Sequence, residues 1–234
     1  MSCDSDKDSN ASTYYKRGAA KDDLKDYNGA ISDYTKAIEI NPNYFKAYNN
    51  RGFSKFELKD YNGAISDYTK AIEIDPYFAT AYNNRGIAKS DLKDYNGAIA
   101  DYNKVIEIDP YFARAYYNRG IAKDDLKDYN GAISDYTKAI EINPNFADAY
   151  NNRGTVKRVL KDYNGAISDF TQAIEINPNF ATAYGYRGIV KNDLKDYNGA
   201  ISDLTQAIEI NPNFATAYNN RGTVKRVLKD YNGA

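Results

Sequence analysis

One segment of the chain reads Asn41-Pro42-Asn43-Tyr44-Phe45-Lys46-Ala47-Tyr48-Asn49-Asn50-Arg51-Gly52, and it returns almost unchanged every 34 residues. The period can be read from the prolines alone, because each follows Asn or Asp and the spacing between them is constant. They are Pro42, Pro76, Pro110, Pro144, Pro178 and Pro212. A fixed period of this length is typical of repeat architectures, in which each unit packs mainly on its neighbours.

Each repeat contains two apolar stripes of helical spacing. In the second half of one repeat, apolar residues recur at intervals of three and four from Tyr61 to Ile74, which predicts an amphipathic helix. A shorter stripe in the first half includes Tyr48, and Gly52 lies on the same side, where we expect another helix to approach closely. The repeat is therefore predicted to be a pair of helices.

The segment Leu58-Lys59-Asp60 is predicted to form the turn between the two helices. A short carboxylate accepts hydrogen bonds from the unpaired amides of a first helical turn, so we expect Asp60 to be the N-cap of the second helix. Pro76 cannot continue a helix and should close the unit, and we expect Asp75 to cap the next helix. The glycine of the following Asn62-Gly63 pair costs up to about 1 kcal/mol relative to alanine in a helix, and the sequence gives no reason for it.

With proline at position 32, the repeat has an aromatic residue at positions 4 and 24, Gly at 8, and Ala at 20 and 27. This pattern resembles the tetratricopeptide repeat (TPR) family. The resemblance implies an all-α fold, an α-solenoid of helical hairpins forming a right-handed superhelix. Residues 1–10 are expected to be a disordered acidic leader, and residues 215–234 a partial seventh unit whose first helix acts as a cap. The six full units are 11–44, 45–78, 79–112, 113–146, 147–180 and 181–214.

Every repeat carries Arg at position 7 and Lys at position 11 of the first helix, and Asp at 23 and Glu at 29 of the second. We expect these residues to form exposed ion pairs between the helices, each contributing about 0.2–1 kcal/mol. The alternative, a basic stripe that binds nucleic acid, is disfavoured because the net charge is −1.

The composition disfavours catalysis. The chain has no histidine and one cysteine, so His-based triads, zinc sites and disulfides are not expected. We therefore predict no enzymatic activity, no metal and no cofactor. Mean hydropathy is −0.73, and we expect no transmembrane segment and a cytoplasmic protein. If Met1-Ser2 is a cloning remnant, the alternative is a lipid anchor on Cys3, because an acidic, serine-rich tether follows that cysteine.

The family resemblance implies that positions 2, 5, 6, 9, 12 and 13 of the first helices look into a concave groove. Asparagines recur there at positions 5 and 6, and a ladder of amides can hydrogen-bond the backbone of an extended peptide. The alternative is that Asn is simply a small polar residue copied by duplication. Position 2 varies most, and two cations there would suit an acidic or C-terminal carboxylate group. The candidate site residues are Asn49, Asn50, Asn83, Asn84, Tyr117, Asn118, Asn151, Asn152, Tyr186, Asn219, Asn220, Lys46 and Arg114.

The leading prediction is a non-enzymatic protein–protein interaction scaffold that binds an extended peptide or helix in the groove. The alternative is self-association of repeat ends into oligomers or filaments. It arises because residues 219–234 repeat 151–166 letter for letter, whereas a terminal cap should differ from an internal copy. We expect either a chain cut from a longer array or an unadapted capping helix at 215–230. An RNA-binding pentatricopeptide array is disfavoured, since its units have 35 residues and basic charge.

Overall fold

The computed structural model describes the backbone of residues 2–232 and the side chains of residues 10–229. Within that range the chain forms thirteen α-helices and no strand, so the predicted all-α array of helical hairpins is confirmed. The helices are α1 (Ser2–Asp23), α2 (Tyr27–Ile40), α3 (Phe45–Glu57), α4 (Tyr61–Ile74), α5 (Ala79–Asp91), α6 (Tyr95–Ile108), α7 (Ala113–Asp125), α8 (Tyr129–Ile142), α9 (Ala147–Val159), α10 (Tyr163–Ile176), α11 (Ala181–Asp193), α12 (Tyr197–Ile210) and α13 (Ala215–Asn232).

The odd-numbered helices are the first helices of the repeats, called A helices here, and the even-numbered ones are B helices. The chain divides into two compact units, residues 1–122 and 123–234. Within the first unit α3 and α5 each pack on the B helices before and after them, α1 packs on α2, and α3 also approaches α1 and α5. The second unit repeats this arrangement from α8 to α13, with α11 approaching α9 and α13. Neighbouring A helices therefore present one continuous face inside each unit, called the A-helix face below.

The turn between the helices of a repeat is built as predicted. Asp60 caps α4, and its side chain accepts from the backbone N–H of Gly63 at 3.0 Å. Lys59 takes a left-handed conformation with φ 64°, and the next N–H donates back to the carbonyl of Lys55 at 2.9 Å. This is the hydrogen bond of a Schellman ending, with lysine in the place that glycine usually takes.

The capping carboxylate also explains the glycine that follows it. A Cβ atom on Gly63 would lie 2.0 Å from Oδ2 of Asp60. A side chain at this position would force the cap into another rotamer, so glycine keeps the carboxylate on the first turn. The same short distance recurs at the corresponding glycine of the other repeats, namely Gly29, Gly97, Gly131, Gly165 and Gly199.

The expectation that Asp75 caps the next helix was wrong. The residue before α5 is Phe78, which makes no side-chain capping bond. Asp75 instead ends α4, and its carboxylate accepts from the N–H of Tyr77 at 3.0 Å. Two residues separate Pro76 from the next helix. The Asp75 side chain therefore stabilises the loop at Pro76 and does not reach the start of α5.

Both ends of the chain are helical within the range that the structure describes. Helix α1 begins at Ser2, so residues 2–10 are helical where we expected disorder. No glycine or proline occurs before Gly18, and extending an existing helix adds one hydrogen bond for each residue fixed. Met1 and the side chain of Cys3 lie outside the described part of the chain.

Helix α13 runs to Asn232 and passes through Leu228-Lys229-Asp230, where the other repeats turn. A left-handed lysine costs about 1–2 kcal/mol, which the packing of a B helix offsets in the other repeats. No B helix follows α13 within residues 2–232, so the helix continues. Residues 233 and 234 lie outside the described range.

The core of each repeat is centred on position 24. The side chains there are 0–1% exposed, and the glycine at position 8 faces them. A Cβ on Gly52 would lie 2.8 Å from Cε1 of Tyr68, so the predicted close approach at Gly52 is confirmed. The buried residues at position 24 are Tyr34, Tyr68, Tyr102, Tyr136, Phe170 and Leu204.

Candidate functional site

A chain of side-chain amides runs across the A-helix face of the first unit. Each position-6 asparagine donates from Nδ2 to the position-5 side chain of the preceding repeat at 3.1–3.2 Å. Each position-5 asparagine donates in turn to the position-6 oxygen of its own repeat at 3.1–3.5 Å. The resulting series of donors and acceptors runs Asn118, Asn83, Asn84, Asn49, Asn50, Tyr15.

The two asparagine positions differ in their access to solvent. Asn49 and Asn83 are 6% exposed, so the position-5 side chains that connect neighbouring repeats are buried. Asn50, Asn84 and Asn118 at position 6 are half-buried. An asparagine side chain offers two donors and two acceptor lone pairs. Because the amide chain uses only one donor and one lone pair of Asn84, the other donor and lone pair are unused at the surface.

The amide chain is interrupted in the second unit. Asn151 donates to Oδ1 of Asn152 at 3.3 Å, but Oδ1 of Asn151 is buried and has no partner among the described residues. The next repeat has Gly185 and Tyr186 where the others have polar side chains, and the Tyr186 ring lies 5.9 Å from Phe170. The position-6 donor that would complete the pattern is therefore missing.

The other candidate residues lie on A helices with differing exposure. Lys46 is exposed, with its ammonium 5.8 Å from the Phe45 ring, and Arg114 is exposed as well. Tyr117 and Asn152 are half-buried. In α13 the two asparagines differ, since one is exposed and the other half-buried. These are Asn219 and Asn220 respectively.

The predicted ion pairs form, but their carboxylates are buried rather than exposed. Arg51 binds Asp67 through two bonds, Nε to Oδ2 at 2.9 Å and Nη2 to Oδ1 at 2.6 Å, and Lys55 adds a third contact at 2.8 Å. The Asp67 side chain is only 5% exposed. The expectation of exposed pairs was therefore wrong, because the A and B helices close over the carboxylate. Equivalent pairs are Arg17–Asp33, Arg85–Asp101, Arg153–Asp169 and Arg187–Asp203.

Four of these arginines, those at positions 51, 85, 153 and 187, also contact the preceding repeat. Nη1 of Arg51 donates to Thr35 of the preceding repeat at 3.1 Å, and the guanidinium lies 5.4 Å from the Tyr48 ring. The expected partner at position 29 is not used in this way, since Glu73 pairs with Lys70 of its own helix at 2.9 Å. These four arginines therefore connect their own A and B helices to each other and to the preceding repeat.

In the first repeat these contacts keep the buried carboxylate of Asp33 ionised. Hydrogen bonds from Arg17, and then from Lys21, hold the pKa of Asp33 at about 2, although burial opposes this shift. In the first repeat, burial raises the pKa of Asp22, whose two oxygens accept hydrogen bonds from Tyr34 and Ser54. The two acids of this repeat therefore differ because only Asp33 has cationic partners.

Sequence reasoning missed four residues that form a pocket in repeats two and three, three on A helices and Tyr68 on a B helix. Phe53, Phe56, Tyr68 and Ile87, together with Asn84, line a small pocket. A signal for it was present, because position 12 is polar or charged in every repeat except the second, where it is Phe56. An apolar residue at this otherwise polar position shows that the second repeat differs from the others here.

The repeats match a family model described as "Tetratricopeptide repeat" over residues 11–44, 45–78, 79–112, 113–146 and 147–180, and a related model, "TPR repeat", over residues 190–225. The first set has the same bounds as the first five predicted units. The chain belongs to the tetratricopeptide repeat family.

Comparison with solved structures finds other arrays of this family. A structure titled "Crystal structure of MamA protein" is 27% identical, with a TM-score of 0.66, and the match covers 74% of this chain and 94% of that one. YrrB, described as "a TPR protein with an unusual peptide-binding site", is 25% identical with a TM-score of 0.66, covering 81% and 97%. PilF of Pseudomonas aeruginosa shares the fold at 18% identity and a TM-score of 0.80, covering 93% and 99%.

A comparison with curated protein sequences found no match. Among the described helices, none combines the length and the apolar character needed to cross a membrane. The family and its structural neighbours indicate a protein-interaction role.

Proposed function

We propose that this chain is a non-enzymatic scaffold that binds an extended peptide in a concave groove formed by its A helices. The observation that supports it is the row of half-buried position-6 amides at Asn50, Asn84 and Asn118, one for each repeat. Each offers polar groups that the amide chain does not use, and a peptide backbone presents one donor and one acceptor for each non-proline residue. Repeated amides therefore suit an extended backbone whatever its side chains are.

The buried position-5 asparagines have a supporting role in this proposal. Asn49 and Asn83 accept from the position-6 amide of the following repeat, which fixes the orientation of that amide before a peptide arrives. A pre-oriented amide loses less side-chain entropy on binding than a free one. YrrB, a structural neighbour, is described as having a peptide-binding site, and this is consistent with the same use of the fold here.

Selection of peptides from a random twelve-residue library on the full chain tests the proposal. We expect the selected peptides to bind the wild-type chain and to bind Asn84→Ala and Asn118→Ala about 5–10-fold more weakly, because each variant removes hydrogen bonds with a net contribution of about 1 kcal/mol. Affinities are measured by isothermal titration calorimetry.

The matched control is Asn62→Ala, which makes the same chemical change at an exposed position at the start of a B helix. It should leave affinity unchanged. Recovery of no binding peptide, or equal affinities for Asn84→Ala and Asn62→Ala, would show that the amides do not form a peptide site.

A second candidate function is self-association through α13. Residues 219–232 have the sequence of 151–164, but the two helices are covered differently. A Cβ on Gly154 would meet Phe170 of the adjoining B helix at 3.0 Å, whereas one on Gly222 would meet nothing within 4 Å. A face that is a packing surface in α9 is thus open in α13, and we propose a second copy of the chain as its occupant.

Light scattering from low to high micromolar concentration tests this candidate. Self-association predicts a mass that rises with concentration, and a variant with Gly222→Glu should remain monomeric because a charge on a packing face is costly. Asn62→Glu is the control for the added charge. A monomer at every concentration contradicts self-association.

A further inference from the structure

A small apolar pocket opens on the A-helix face between repeats two and three. Its volume is about 90 Å³, and it is lined by Phe53, Phe56, Tyr68, Asn84 and Ile87. Phe53 is 41% exposed, whereas Tyr68 is 1% exposed, so the phenylalanine lies at the rim and the tyrosine ring in the wall. Among the described residues, no charged side chain lines the pocket.

The hydroxyl of Tyr68 is the unusual group in this pocket. In the first repeat, the corresponding Tyr34 donates to Asp22 at 2.7 Å. The second repeat has Phe56 at that place. Among the residues that the structure describes, none hydrogen-bonds the Tyr68 hydroxyl, although the side chain is almost fully buried. Because Tyr68 lines the pocket and its hydroxyl is not one of the fully enclosed unpaired atoms, the hydroxyl can take a hydrogen-bond partner supplied from outside.

The size and chemistry of the pocket limit what that partner can be. A cavity of about 150 Å³ accommodates benzene, so this smaller one fits an unbranched chain better than an aromatic ring. Two phenylalanines and a tyrosine provide the ring contacts that a thioether sulfur favours. A thioether is also a weak hydrogen-bond acceptor, and burial raises the pKa of Tyr68, which keeps its hydroxyl protonated as a donor.

We propose that this pocket is a specificity subsite for a methionine side chain of a bound peptide, with the Tyr68 hydroxyl donating to the sulfur. The proposal rests on the proposed peptide-binding function, since Asn84 belongs both to the pocket wall and to the amide chain. The amide would hold the peptide backbone beside the opening while the side chain enters. Repeat one does not offer this subsite, because its position-24 hydroxyl donates to Asp22, and repeat three has the polar Ser90 where repeat two has Phe56.

The probes are capped heptapeptides, acetyl-Ser-Gly-Ser-X-Ser-Gly-Ser-amide, with methionine, norleucine, alanine or phenylalanine at X. Titration of the full, nitrogen-15-labelled chain is followed by NMR. We expect the methionine peptide to bind about 3-fold more tightly than the norleucine peptide, which has the same shape without sulfur, and about 10-fold more tightly than the alanine peptide. The phenylalanine peptide should bind no better than alanine.

The decisive variant is Tyr68→Phe, which removes only the hydroxyl. It should fold normally, because the same position is phenylalanine in repeat five, at Phe170. We expect the preference for methionine over norleucine to disappear in Tyr68→Phe and to persist in Tyr102→Phe, the matched control one repeat away. A preference unchanged by Tyr68→Phe would overturn the role of the hydroxyl.

The other outcomes separate this inference from the proposed function. If all four peptides bind with equal affinity, and that affinity falls in Asn84→Ala, the methionine subsite is wrong while the peptide groove stands. If neither these probes nor the library-selected peptides bind, the proposed function is wrong and the subsite falls with it.

Discussion

Gly86→Ala is expected to lower the free energy of unfolding by about 2 kcal/mol, whereas Gly222→Ala is expected to raise it by about 0.5–1 kcal/mol. Both glycines stand at position 8 of an A helix, so the intrinsic gain in helix propensity is the same. Only the surroundings differ. The comparison therefore separates packing from propensity with one substitution made at two equivalent places.

The opposite signs follow from what a methyl group would meet. At Gly86 the added Cβ would lie 2.6 Å from Cε1 of Tyr102, a side chain that is 1% exposed. A ring so enclosed cannot move without disturbing the core, and overpacking typically costs about 1–3 kcal/mol. At Gly222 no described atom lies within 4 Å of the added Cβ. Alanine there removes the entropic penalty of glycine in a helix without a clash.

Urea unfolding followed by circular dichroism, fitted with a nearest-neighbour model, gives the two free energies, because repeat arrays do not always unfold in one step. Hydrogen exchange of the amides in α13 reports the Gly222 variant locally. Stabilisation at both sites would mean that the tyrosine ring moves aside easily. Destabilisation at both would mean that the Gly222 face is covered in solution.

The helical hairpins could be predicted because their evidence is local. The apolar spacing from Tyr61 to Ile74 and the cap at Asp60 depend on residues within one turn or one helix. Asp75 was misassigned for a related reason: Asn and Asp side chains hold turns as readily as they cap helices. Sequence alone does not show whether the next helix begins directly or two residues later.

The candidate site was predicted only in outline, because its properties arise between repeats. Asn84 and Asn49 are 35 residues apart and meet only when the A helices lie side by side. Burial of Asp67 likewise depends on two helices closing over it. The Tyr68 hydroxyl is unpaired among the described residues because Phe56 stands at the position that Asp22 occupies in the first repeat. Each of these requires the packed structure, although the unusual residue at position 12 was visible in the sequence.

Arg85→Ala is expected to lower the free energy of unfolding by about 3 kcal/mol, the size expected when one partner of a buried ion pair is removed. Asp101 has a side chain that is 4% exposed. It would lose bonds of 3.0 and 2.6 Å from the guanidinium and retain only Lys89 at 2.8 Å. The variant also loses the bond from Arg85 to Thr69 of the preceding repeat at 3.0 Å, so coupling between repeats should weaken as well.

Arg221→Ala is the matched control within the chain. Arg221 donates to Thr205 at 3.2 Å and lies 5.5 Å from the Tyr218 ring, but no described carboxylate pairs with it. Its removal should cost less than about 1 kcal/mol, the net contribution of one ordinary hydrogen bond. Urea unfolding at neutral pH measures both variants. Equal costs for Arg85→Ala and Arg221→Ala would show that the buried carboxylate contributes nothing beyond an exposed pair.

A double variant distinguishes the net contribution of the pair from the penalty of leaving a charge unpaired. Arg85→Met combined with Asp101→Leu removes both charges and retains apolar volume, and such replacements are often neutral or stabilising. We expect the double variant to recover most of the stability lost in Arg85→Ala. The main cost in the single variant is that the buried Asp101 carboxylate loses its arginine partner. If the double variant does not recover this stability, the stabilisation comes from the ion pair itself and from the bond to Thr69. Arg85 would then act chiefly as a link between repeats.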